Sequence, residues 1–572
     1  MKINSLRAGL FIAFALSLIG LSCTNLNQKV YSVVPNSEFW QTPAQIAAGV
    51  APAYNVLTQI PNGSIEELVE ASTDEMIIPI RGSDWLDADE HIQEWQHTWP
   101  DNHPNVSSSW QTIFQGIGEA NFTIGVVQGL PKPPSDTTAI YAELRGLRAY
   151  YYFLALDMFG NVPIVTSFNV DPSTVKTANR TAVFNFVQSE LTAIIPNLAS
   201  NVDATTYGRF TKWAAFSLLA KLYLNAQVYT ADGYSPGAAG TAMWPQCMAA
   251  CDSVIASGQY GLETDYFDNF STTNSNLTSN GNENIFVVPF DKVNIGGNNW
   301  EMGTLHYQNN VNFQLAGSPW NGFCSDADFY SKFDTSSIYS AKGSTTYRTY
   351  LDQRAGQYLI GQQYGIPYTY PPSTNVVYSA DASLALQDVQ FSIPLVFTPT
   401  VSTLSNAAGS FRGAGVRNIK YFPEQGTQGN QSNDMVIFRL ADVYLMRAEA
   451  DMRANGAVSA TSLGYLNKVR ERAYGATTPT IANPNNPAQP IQVDLTNSVT
   501  LDNILDERGR ELTWECWRRN DLIRFEIASG TKYWSGARNP EKTQDADNHL
   551  MLFPIPTQFI TANPNLKQNT GY

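Results

Sequence analysis

The stretch YAELRGLRAYYYFLALDMFGNVP, residues 141–163, decides how the chain folds. Leu144, Leu147, Tyr151, Leu154 and Met158 recur every three to four residues, which lays one apolar stripe along a helix from Tyr141 to Phe159. Gly160 and Pro163 end it, and Val162–Val165 continues as an extended piece. The same design returns over Thr211–Tyr229, with Trp213, Phe216, Ala220 and Tyr223. Further helices are expected at Val183–Ile195 and Met243–Ala256, ending near Pro196 and Gly258. Helices in succession, with small alanines where they cross, predict a mainly α protein of tetratricopeptide-like helical pairs. No clean 34-residue period accompanies them.

Outward from these helices the texture changes. From Gly258 to Asn433 the chain is rich in Gly, Asn, Ser, Thr, Tyr and Pro, with only short apolar runs such as Ile285–Pro289. Loops of that length are either functional or disordered, and the many aromatics argue against disorder. Helices resume at Val436–Asn455, Leu463–Ala473 and Leu501–Phe525, and Met551–Tyr572 reads as an extended tail. The expected organisation is therefore a leader at 1–22, a helical region at 23–257 and a second region at 258–572. That last region is loop-rich over 258–433 and helical with a tail over 434–572.

At the other end, Lys2 and Arg7 precede an apolar run from Leu10 to Leu21, which has the build of a secretory signal. It ends Gly20-Leu21-Ser22-Cys23, similar to a bacterial lipobox, so Cys23 is expected to be acylated and to become the N-terminus. Removing residues 1–22 takes away two positive charges and shifts the net charge from −15 to −17. A chain this acidic is a poor nucleic-acid binder, because phosphate contacts need clustered Lys and Arg. Aromatics make up 12% of the residues and charged residues only 15%, a balance that suits neutral polar ligands. Cys247, Cys251, Cys324 and Cys516 show no metal-ligand spacing and read as buried thiols.

Four blocks together resemble the SusD/RagB family. Leu147-Arg148-Ala149-Tyr150-Tyr151-Tyr152 with Phe159-Gly160-Asn161-Val162-Pro163 is similar to the family's helix and turn. Arg439-Leu440-Ala441-Asp442-Val443-Tyr444-Leu445 through Ala450, Asp506-Glu507-Arg508-Gly509-Arg510-Glu511-Leu512 with Arg518, Asp521 and Arg524, and Phe553-Pro554-Ile555-Pro556 through Tyr572 resemble three more. The resemblance implies a helical superstructure carrying a loop-rich ligand-binding layer. It also implies a role in the outer membrane of Bacteroidetes-like bacteria, lipid-anchored and facing the exterior. There the protein would capture an oligosaccharide, or in some members a peptide, and pass it to a SusC-type TonB-dependent barrel. Binding without chemistry is implied, with no cofactor. A surface glycoside hydrolase and a lid without its own ligand site are the rivals.

A further block, Ser72-Thr73-Asp74-Glu75-Met76, Pro79, Arg81-Gly82-Ser83-Asp84-Trp85 and His97-Thr98-Trp99, resembles a loop seen in many members. Trp85 lies in a Gly- and Asp-rich turn without periodic apolar neighbours. A loop-exposed indole there would stack on a sugar ring while Asp74, Arg81 and Asp84 hold its hydroxyls. The alternative is a ring that plugs the loop onto the helices. Trp320, in Ser318-Pro319-Trp320-Asn321-Gly322-Phe323, reads either as a second platform with Tyr307 near it in sequence or as a ring that pins the loop, and Tyr421 or Arg417 reads as a packed strand residue more readily than as a border of the site. Glu507, Glu511 and Glu515, four apart on the expected helix, share one face and read as scaffold rather than as a glycosidase pair. Glu507 is expected to pair with Arg510 and Glu515 with Arg519. His91, His97, His103, His306 and His549 show no motif pairing and read as polar loop residues rather than metal ligands.

Overall fold

A computed structural model describes residues 39–572, apart from 62, 132, 232, 234–238, 276–281, 373–375, 485 and 531–547. Cys23 and the leader lie outside the described residues. The N-terminal half is a run of helices: α1 (Pro43–Asn55), α2 (Ser64–Ala71), α3 (Glu90–Gln96), α4 (Pro104–Gln128), α5 (Thr137–Met158), α6 (Arg180–Ile194), α7 (Lys212–Leu224) and α8 (Trp244–Ala256). Four more follow the loop-rich middle: α9 (Leu440–Asn455), α10 (Ala460–Ala473), α11 (Leu501–Leu512) and α12 (Arg518–Ser529). Neighbours pack in pairs, α4 on α5, α5 on α6, α7 on α8, α8 on α9 and α9 on α10. This is the tetratricopeptide-like fold that the spacing predicts.

Local chemistry sets the ends of these helices. The Asn179 side chain accepts from the Ala182 amide at 2.8 Å, and Thr211 does the same for Ala214, so each caps a helix start. Gly456, with φ of +74°, closes α9. On α4, Gly116 faces the buried ring of Tyr151 on α5, and a Cβ there would come within 2.4 Å of the ring. That missing side chain is what lets the two helices approach. The main core runs from Trp40 to Ile555 and takes in helices from both halves.

Two helix expectations are corrected. Met435–Arg439 is strand β2, paired antiparallel with β1 (Asn284–Val288), rather than the start of a helix. Met, Val, Ile and Phe in succession fit a pleated surface, and the Ile285–Pro289 run supplies the partner. The helix expected over Leu501–Phe525 breaks at Thr513–Trp517, where Trp514 and Cys516 adopt left-handed φ of 54° and 64°. Tertiary contacts pull that turn open. The Trp514 amide donates to the Glu75 carboxylate at 2.8 Å and its indole to the Glu75 carbonyl at 3.0 Å. Glu515 therefore meets Lys420 and Arg439 instead of Arg519, whose guanidinium donates to the Met551 carbonyl at 2.9 Å. Glu507 does pair with Arg510, at 2.6 Å. The extended tail also contains one turn of helix, Thr557–Ala562.

Buried charge organises the C-terminal helices. Arg439 reaches Glu283, Glu511 and Glu515 at 2.8, 2.5 and 2.8 Å, and Arg354 reaches Asp352, Glu507 and Glu511 at 2.8–2.9 Å. In a second cluster Arg508 holds Asp442 and Asp521, Lys221 holds Asp442, and Arg524 holds Glu449 and Asp521. Burial raises the pKa of Glu449, but Arg524 and Arg453 outweigh it and bring the group down to about 2. Glu511 is likewise raised by burial and then drawn to about 2 by Arg472, Arg439 and Arg354. A carboxylate held below its unfolded value adds stability above that value and loses it as pH falls through the folded one. The melting temperature is therefore expected to fall steadily between about pH 4 and 2. A flat profile across that window, recorded by circular dichroism, would rule these pairs out as stability determinants.

Candidate functional site

The site is built by loops that the helices anchor. After α2 the chain turns through Ser72–Met76, and Asp74 accepts two bonds from Arg518, at 2.6 and 2.7 Å. Asp74 is buried in that pair, so it is a strut and not a ligand contact. Strand β3, as we label Ile80–Arg81, runs parallel to β4, Ser405–Asn406. Arg81 is 1% exposed and donates to the carbonyls of Asn321, Phe411 and Ala414 at 3.1, 2.8 and 2.9 Å. It ties three loops together and does not reach the surface. Tyr421 is also interior: its hydroxyl accepts from the Val436 amide at 3.0 Å, and its ring lies between Phe270 and Trp300. Arg417 is buried on the carbonyls of Arg412, Ala414 and Gly415. Asp74 and Arg81 are thus withdrawn as contacts, and Tyr421 and Arg417 are packed residues rather than a border of the site, because polar groups inserted among loops find their partners in backbone carbonyls and buried ions.

Asp84, Trp85, Tyr307 and Trp320 do come together. Arg81 and Asp84 exchange backbone hydrogen bonds at 3.1 and 3.3 Å, a tight hairpin that presents the next two side chains. The Asp84 carboxylate accepts from the Tyr307 hydroxyl at 2.6 Å and from Arg412 at 3.1 Å. Trp85, with φ of 60°, donates its indole N–H to the Trp320 carbonyl at 2.9 Å. Its ring meets Phe323 at 5.3 Å and His91 at 5.6 Å, and lies over Gly322, where a Cβ would come within 2.3 Å of it. Trp85 is therefore half-buried and pinned, part platform and part plug, rather than loop-exposed. Trp320 is the open ring, 44% exposed, while its own amide is held by the Met302 carbonyl at 2.7 Å.

Sequence reading missed the residue that joins these parts. The Arg412 guanidinium donates to Asp388 at 2.6 Å and to Asp84, and stacks over the rings of Tyr307 and Phe391 at 4.6 and 5.3 Å. His306 meets the same Asp388 at 3.2 Å, and burial lowers its pKa to about 3, so it is neutral there. No spacing links residues 84, 307, 388 and 412, and only folding assembles them. Around this network stand exposed apolar groups, Leu86, Val389, Phe391 and Trp320. These exposed apolar side chains, of which Leu86 and Val389 lie next to the Asp84 and Asp388 carboxylates in sequence, make up a candidate binding shelf.

The histidines also differ from expectation. His91 lies on α3, and His91, His97 and His103 are all buried. His97 and His103 bond the carbonyls of Ser72 and Glu90 at 2.8 and 3.2 Å, which seats the loop on the helices. Among the described residues, Asp87, Glu90 and His91 are the set whose ligand atoms converge as a metal's would. Cavities elsewhere include a cleft of about 460 Å³ beside α1, lined by Tyr54, Arg209 and Ile295, which contains none of the shelf residues.

Comparison with known proteins settles the relationship. The sequence model of the SusD family matches residues 282–572, and one described as starch-binding associating with outer membrane matches 26–224. The chain belongs to the SusD family. Among its relatives in that family, the starch-binding protein SusD of Bacteroides thetaiotaomicron is 25% identical over 516 residues, 85% of this chain and 84% of the relative. A SusD-like protein of Formosa agariphila, P25, is 25% identical over the full length of both. Surface glycan-binding protein A from Bacteroides thetaiotaomicron, solved in complex with laminarihexaose, superposes on this SusD-family chain with a TM-score of 0.64. That match has 18% identity and covers 92% of this chain and 100% of the other.

Proposed function

We propose that this SusD-family protein is a lipid-anchored, surface-exposed binding protein that captures an oligosaccharide on the Trp320 shelf and delivers it to a SusC-type TonB-dependent transporter. The observation that carries the reading is the open indole of Trp320, whose main-chain carbonyl takes the Trp85 indole N–H next to the Asp84, Tyr307 and Arg412 network. Sugar rings offer C–H faces to an aromatic plane and hydroxyls to its rim, and this shelf supplies both. Relatives named for binding starch or a surface glycan support the same class of ligand. Arg412 faces two aspartates, so its charge is already matched and the shelf favours a neutral glycan over an anionic one. Acylation of Cys23 and the outward orientation belong to this proposal.

Asp84 and Asp388 are both engaged by one guanidinium, an arrangement that holds loops together rather than one that flanks a scissile bond. The protein is accordingly read as a binder without turnover. Affinity electrophoresis of residues 24–572 through a panel of α- and β-linked glucans is expected to show retardation on at least one. Chromatography of that glycan after incubation should show an unchanged length distribution. No retardation on any neutral glycan would sink the ligand class, and shortened products would sink the binding-only reading.

A further inference from the structure

The turn after Trp85 has chemistry that glycan capture does not use. Asp87, Ala88 and Asp89 all adopt left-handed φ, at 27°, 51° and 64°, before α3 begins at Glu90. That path sets the carboxylates of Asp87 and Glu90 at 3.9 and 3.7 Å from Nε2 of His91. The three ligand atoms lie within 4.8 Å of one another. Those gaps exceed a hydrogen bond and are a few tenths of an ångström wider than the roughly 3.4 Å that separates donors about 2.1 Å from one tetrahedral ion, so small side-chain shifts would bring the donors onto it.

The second observation concerns the imidazole itself. The His91 side chain is 5% exposed, and its Nδ1 is bonded to Glu94 at 3.1 Å. Glu94 is fully buried and in turn accepts from Asn105 at 2.7 Å. A carboxylate behind a histidine is the usual outer support of a metal ligand, since it orients the ring and directs the other nitrogen to the ion. Here that other nitrogen, Nε2, lies near the two carboxylates and makes no hydrogen bond among the described residues. Asn105 also bonds Glu67 at 3.2 Å, so four acidic groups, Glu67, Asp87, Glu90 and Glu94, surround this one ring. Among the described residues no Lys or Arg pairs with any of the four.

We propose that Asp87, Glu90 and His91 form a binding site for a divalent transition-metal cation of the Zn²⁺ type. One imidazole nitrogen and two carboxylate oxygens form a mixed donor set that favours such ions over Ca²⁺ or Mg²⁺, which take oxygen alone. Asp87 is half-exposed, so water completes the coordination. The ion would brace the turn that carries Trp85, whose ring already packs against that of His91.

The test is a titration of untagged, chelator-stripped protein, residues 24–572, with Zn²⁺ by calorimetry and with Co²⁺ by visible absorption. One equivalent is expected, with Co²⁺ bands of mixed nitrogen and oxygen ligation. Glu90→Gln and Asp87→Asn should each weaken binding at least tenfold, and His91→Ala should remove it. Should His91→Ala fail to fold, the two carboxylate variants still decide. Absence of a one-equivalent site, or affinity unchanged in both carboxylate variants, would overturn the proposal.

Discussion

Trp320→Ala is expected to weaken glycan binding roughly ten- to hundredfold, the loss of about 1–3 kcal/mol of stacking and apolar burial. Its melting temperature should stay close to that of the unchanged protein. Trp320 is 44% exposed, and the contact it makes to Trp85 runs through its main-chain carbonyl, which the substitution leaves in place. Trp85→Ala should behave differently. It too weakens binding, but it removes a ring packed on Phe323 and Gly322 and an indole hydrogen bond, so the protein also melts earlier. Titration calorimetry and a thermal melt on both variants separate the roles. Full affinity in Trp320→Ala would move the site away from the shelf.

Arg439→Met is expected to cost about 3–5 kcal/mol of stability, or to prevent folding outright. Arg439 is fully buried, and its removal strands Glu283, Glu511 and Glu515 in the core with too little positive charge. Arg439→Lys should recover only part of the loss, because one ammonium cannot bond three carboxylates and the Glu511 carbonyl in the fork geometry of a guanidinium. Urea denaturation measures both. A loss below about 1 kcal/mol in Arg439→Met would mean that the three glutamates find other partners or take up protons.

Much of this protein is written locally. The stripe of Leu144, Leu147, Tyr151, Leu154 and Met158 specifies a helix because neighbours three and four apart share a face wherever that helix is placed. The stop at Gly160 and the family blocks are equally local, so the mainly helical architecture and the SusD-family membership could be read from residue order. Platforms were legible as residue types: Trp85 and Trp320 each stand beside glycine in a turn-rich stretch.

What residue order could not show is where a polar side chain ends its path. Asp74, Arg81 and Asp84 lie within eleven residues of one another in a single loop. Asp74 finds Arg518, 444 positions away, Arg81 finds carbonyls from two other loops, and Asp84 alone reaches the shelf. The same holds for the break at Thr513–Trp517, where an otherwise continuous helical pattern yields to Glu75, Lys420 and Arg439. Periodicity reports short-range geometry, and it determined the helices. Burial, ion pairing and the left-handed turn at Trp85 depend on partners hundreds of residues apart, and those the tertiary structure alone decided, because a buried charge or hydrogen-bonding group settles wherever folding offers it a partner.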